Sequence, residues 1–112
     1  MTDKIVILST CESEEEGARL ARHLVESRLA ACVNVIPRVT SYYWWKGKVE
    51  SGDECLLLIK SSRPLFESLR AVLETQHSYE VPEAIALQIV QGSENYLNWL
   101  TANLQPAQGS NE

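Results

Sequence analysis

The sequence predicts an α+β fold: a four-stranded antiparallel sheet with two long helices on one face and a long hairpin extending from it. Three observations lead there. β-Branched apolar runs alternate with segments of helical spacing, in the order strand, helix, strand, strand, helix, strand, helix. The second and third strands are joined by a tight turn, which makes them antiparallel neighbours. The chain has 112 residues, 45% of them hydrophobic, enough to bury a core without disulfide or metal.

The elements follow in order. "KIVIL" (Lys4–Leu8) is a β-branched apolar run and reads as a buried strand that ends at Cys11. Ser13 followed by Glu16 fits a capping box, with acids in the first turn of a helix. Gly17, Leu20, Ala21, Leu24 and Arg28 then share one helical face. "ACVNVIPRV" is the second strand and runs on through "TSYYWW" to a turn at Gly47. "ECLLLIK" (Glu54–Lys60) is the returning third strand. Ser62 or its neighbour caps a second helix, with Pro64 tolerated in its first turn and Leu65, Leu69, Val72, Leu73 and Gln76 facing inward. After "QHSYEVPE", "AIALQIV" is the fourth strand, and Ser93 caps a short helix, "ENYLNWLTANL".

This is the split βαβ order of ferredoxin-like folds, βαββαβ with a terminal helix. Right-handed crossovers place the third strand between the first two and the fourth outside the first. Residues 1–105 form one such domain and 106–112 a flexible tail. The first strand and the second helix run in the same direction, so Cys11 and His77 arrive at the same edge of the sheet.

"IVIL" and "CLLLI" do not alternate, so both faces of the central strands are apolar, while two helices cover only one. The other face calls for an oligomer interface. Four consecutive aromatics, Tyr42–Trp45, sit on the hairpin arm, and isolated hairpins are marginal in water. Tyr43, Trp44 and Trp45, together with Trp99, are therefore read as interface residues.

Composition narrows function. A net charge of -5 opposes binding to phosphate backbones, so no nucleic-acid partner is expected. No uncharged apolar run is long enough to span a bilayer, and no leader is read. The three widely spaced cysteines suit reduced thiols in the cytoplasm. No nucleophile elbow is present, so the chain is not read as an enzyme. A phosphate-binding loop is excluded after the first strand, where "CESEEEG" is acidic. The aliphatic central strands lack the aromatics of RNA-binding sheets.

"LAACVNVIP", "SYYWWKGKVE", "ECLLLIKS", "HSYEVPE" and "YLNWL", with "TC" after the first strand, together resemble the CutA divalent-cation tolerance family over almost the whole chain. The resemblance implies a homotrimer that binds copper or another divalent metal. It implies a site made by the thiol after the first strand and two adjacent histidines at the end of the second helix. Here these positions are Cys11, Gln76 and His77, so one imidazole is replaced by an amide. Cysteine and histidine suit copper or zinc rather than calcium. Two ligands do not close a site, so Tyr79, Glu80, Glu83 or a neighbouring subunit would complete it. Structural readings stand beside this one: Cys11 as a small strand-end residue and His77 as a complement to the helix dipole. His23 is read as a surface residue, Cys32 and Cys55 as core thiols, and Glu14–Glu16 as a capping feature. The second functional reading is a small-ligand signalling or interaction trimer like the nitrogen-regulatory proteins. Its ligand would lie in clefts between subunits lined by Tyr, Trp and Glu.

Overall fold

The computed structural model describes residues 2–106; the expected tail, from residue 107 on, lies outside the described residues. Strands β1 (Lys4–Cys11), β2 (Cys32–Trp45), β3 (Lys48–Ser62) and β4 (Ile85–Gln88) alternate with helices α1 (Glu14–Glu26), α2 (Phe66–Gln76) and α3 (Glu94–Ala102). The sheet order is β2-β3-β1-β4 with every pairing antiparallel, the topology the crossover rule requires.

The core lies between the sheet and the helices. Ile5 and Ile7 of β1 and Leu57 and Ile59 of β3 pack with Leu20 and Leu24 of α1 and Leu65, Leu69 and Leu73 of the α2 segment. The four-residue spacing of these leucines puts them on one stripe of each helix, and all five are fully buried. At about 1.5–3 kcal/mol for each buried aliphatic side chain, this stripe dominates the helix–sheet contact.

Several boundaries differ from the sequence reading. α1 stops at Glu26 with Ser27 as its C-cap, and Arg28 just beyond takes a left-handed backbone (φ 61), so it does not continue the helical face. Arg63–Leu65 is a separate 3-10 turn ahead of α2, with Pro64 in the first-turn position where its missing N–H costs nothing. β3 begins at Lys48, since the arm pairs along its whole length, from Trp45↔Lys48 to Val39↔Glu54. The arm is closed by Lys46 (φ 51) and Gly47 (φ 81), the paired positive φ of a two-residue hairpin turn. The ladder breaks between Ile36 and Val39, where Pro37 has no donor to offer. β4 spans only four exposed residues at the sheet edge, shorter than the expected 84–90. α3 ends at Ala102.

The face away from the helices carries Val6, Leu8, Leu56 and Leu58 on the central strands, with Ile85 and Leu87 of β4 at the edge. Ile85 and Leu87 are about half-exposed (51% and 49%). On the arm and α3, Trp44 is 74% exposed, while Tyr43, Trp45 and Trp99 are near half. An aliphatic stripe and an aromatic arm therefore lie open on the isolated chain.

Candidate metal centre

Both candidate ligands come to the edge where β1 meets α1. Ser13 caps α1 by accepting a hydrogen bond from the Glu16 N–H at 3.1 Å. The reciprocal half of a capping box does not form. The Glu16 carboxylate instead accepts from the Glu12 N–H (3.3 Å), the Ser78 N–H (2.7 Å) and the Ser78 hydroxyl (2.9 Å). Burial opposes its ionisation, but the Ser78 and Glu12 donors prevail and hold the carboxyl below its usual range. Glu16 thus ties the 76–83 loop to the start of α1. Arg19 reinforces the tie by donating to the Gln76 carbonyl at 3.0 Å, where α2 ends.

His77 is the C-cap residue of α2 and its side chain is fully buried. The Tyr79 N–H donates to Nδ1 at 3.0 Å, so the ring proton sits on Nε2, which donates to the Thr10 carbonyl at 2.7 Å. The ring also packs on Tyr79 with centroids 4.7 Å apart. Tyr79 in turn donates to Glu54 at 2.6 Å; burial and then this bond push its phenol well up.

Cys11 is fully buried on the helix-covered face of the sheet. Its thiol donates to the Ser13 carbonyl at 3.5 Å and lies against Cys55, its partner across the β1–β3 ladder. Burial first, then the neighbouring Cys55, pushes the Cys11 thiol up to about 12. The Cys55 thiol is also raised, chiefly by burial. Topology thus brings Cys11 and His77 to one edge, yet the imidazole engages Thr10 and the thiol engages Cys55. Gln76 faces His23, with Gln76 Nε2 and His23 Nε2 3.5 Å apart.

Outside this edge lies an open cleft of about 600 Å³, between the arm and the 79–83 loop. Tyr42, Tyr43, Trp45, Glu54, Glu80 and Glu83 line it, an aromatic and acidic wall.

The CutA1 divalent ion tolerance protein family matches residues 5–103. The chain belongs to this family. The divalent-cation tolerance protein CutA of Thermus thermophilus is 46% identical over 98 residues, covering 88% of this chain and 95% of that one. The chloroplastic CutA of Arabidopsis thaliana is 47% identical over 96 residues. That match covers 86% of this chain but only 53% of the plant protein, so the chain spans about half of that relative's length. The crystal structure of rice CutA1 superposes with a TM-score of 0.89 at 42% identity, covering 91% of this chain and 94% of that one. The ferredoxin-like fold is therefore shared with solved members of the family.

A divalent-cation tolerance family directs attention to metal. Among the described residues no group of three or more His, Cys, Asp or Glu is arranged to hold an ion. Cys11 and His77 do not fit a metal as they stand. Both ring nitrogens of His77 are committed to backbone partners, and a metal needs a free lone pair. Sequence reasoning missed two groups. Glu16 reads as a cap and proves to be the anchor of the loop. Cys55 reads as a core thiol and proves to be the neighbour of Cys11 across the β1–β3 ladder, a register that no turn between those two strands signals.

Proposed function

We propose that this protein acts in divalent-metal tolerance as a non-catalytic homotrimer that binds copper or another divalent metal. The match to tolerance proteins across residues 5–103 is the observation that carries the reading. The open aliphatic face and the aromatic arm support self-association, since both offer surface that water disfavours. In this reading metal contact is made at Cys11, and His77 joins it only when the 76–83 loop releases one ring nitrogen. While both nitrogens are engaged, His77 cannot serve Cys11 as a base, so the pair is given no nucleophilic role. Three unpaired cysteines favour a reducing compartment, and we place the protein in the cytoplasm on that ground. Among the described residues no helix is long and apolar enough to cross a membrane.

A competitive copper titration of the parent, Cys11→Ser and Gln76→His tests the site. Cys11→Ser should nearly abolish binding, and Gln76→His should tighten it by offering imidazole in place of a weak amide oxygen. Three coincident affinities would refute the site and favour the second reading, a small-ligand signalling or interaction trimer. The aromatic and acidic cleft is the observation behind that alternative.

A further inference from the structure

On the face away from the helices, the residues that follow Leu8 and Leu56 along the strands are Thr10 and Glu54. The aliphatic stripe thus ends in a polar floor, and the cleft of about 600 Å³ opens there. One wall is the arm, where strand alternation puts Ser41, Tyr43 and Trp45 on the same face as Glu54. Tyr43 leans back toward the sheet: its hydroxyl is 3.9 Å from where a β-carbon at Gly52 would stand. Gly52 pairs with Ser41, so two small residues leave this part of the wall unfilled. The other wall is the 79–83 loop, with Tyr79, Val81 and the carboxylates of Glu80 and Glu83. The Tyr79 phenol holds Glu54 by donating to it at 2.6 Å. Three carboxylates and four aromatic residues therefore line one cleft, and among the described residues lining it none is basic.

We propose that this cleft binds a linear aliphatic polyamine, with its ammonium groups at the carboxylates and ring faces and its methylene segments along the apolar walls. The inference deepens the second reading above by naming the class of its ligand, and it rests on that reading. Aromatic faces attract cations; the Trp45 ring already draws one, with Lys46 Nζ 5.8 Å from its centroid. Carboxylates accept N–H hydrogen bonds, which a quaternary ammonium cannot donate. Among the described residues no three acidic or metal-ligating groups converge on a single ion, so the three carboxylates are spread along the cleft. Spaced negative charges suit a ligand whose positive charges are also spaced. A monoamine would neutralise only one of them. A small hydrated dication would gain nothing from the apolar walls. The same carboxylates repel phosphates, which sets nucleotides aside. Tyr43 and Trp45 are also assigned to the proposed trimer interface, so in the assembly a neighbouring copy would stand beside the cleft.

The test is isothermal titration calorimetry of the full chain with spermidine at about 0.15 M salt, where loose attraction between exposed charges is screened. Binding should saturate at one spermidine per chain. Glu80→Gln combined with Glu83→Gln should weaken it about tenfold. Tyr43→Leu keeps an apolar side chain but loses the ring, and should weaken it about threefold. Light scattering and far-ultraviolet circular dichroism should match the parent in both variants. Glu14→Gln combined with Glu15→Gln removes exposed acids of α1 outside the cleft and should bind as the parent does. Magnesium should not displace the bound spermidine. Parent-like affinity in the cleft variants, or full displacement by magnesium, overturns the inference and leaves only a general attraction of an acidic chain for cations. Binding of adenosine triphosphate that Tyr43→Leu weakens, with no uptake of spermidine, overturns the cationic class but keeps the small-ligand reading. Uptake of neither overturns the inference and removes the cleft as support for that reading.

Discussion

Replacing Glu16 by glutamine removes one charge and should loosen a whole edge of the molecule. The carboxylate accepts three hydrogen bonds, at 2.7, 2.9 and 3.3 Å, with its side chain 7% exposed. Glutamine has one acceptor oxygen, so at least one of these donors must meet an amide N–H instead. A hydrogen bond to a charged group contributes about 1.5–3 kcal/mol, and a buried donor left without a partner costs about 1–3 kcal/mol. The exposed fraction is too small for solvent to screen much of this, so Glu16→Gln should lose roughly 3 kcal/mol at neutral pH. The pH dependence has a definite sign. The folded carboxyl titrates below its unfolded value of 4.5, so its contribution is fully present above that value and is lost as pH falls through the folded one. The gap between parent and variant should stay constant near neutrality and close in acid. Urea denaturation at matched protomer concentration, repeated down a pH series, measures both effects. Equal stability at neutral pH, or a gap that widens in acid, would refute the assignment of Glu16 as the loop's anchor.

Other perturbations address the remaining parts of the structure. Changing Tyr43, Trp44 and Trp45 together to alanine should break the proposed trimer, since buried aromatics cost about 3–5 kcal/mol each to remove; light scattering would show the mass fall, and an unchanged mass would place the interface elsewhere. Tyr79→Phe deletes the 2.6 Å bond to Glu54 and should cost about 1–2 kcal/mol in urea denaturation, the partial exposure of Glu54 moderating the loss. Leu69→Ala empties a fully buried position between α2 and the sheet and should cost about 2–5 kcal/mol by the same measurement.

The sequence by itself determined the element order, the sheet topology and the meeting of "STCESEEEG" with "QHSYEVPE" at one edge. These follow from local rules. Apolar β-branched runs and helical spacing name the elements, Gly47 closes the arm, and the handedness of crossovers orders the strands. It also showed that β1 and β3 are apolar on both faces, because the absence of alternation is visible in the letters alone. What the tertiary structure decided was which groups at that edge touch. Cys11 lies against Cys55 through the β1–β3 register, which joins strands far apart in the chain and is set by how the whole sheet packs on the helices, not by any local turn. His77 turned out to hold the loop to Thr10, since a ring nitrogen is free or committed only through backbone groups far away in the chain. Glu16 carries the mark of a helix cap in sequence, yet three donors from two segments claim its carboxylate once the loop packs over it. Directions of chain travel are local and legible. Hydrogen-bond partners are settled by competition among neighbours that only the folded chain assembles.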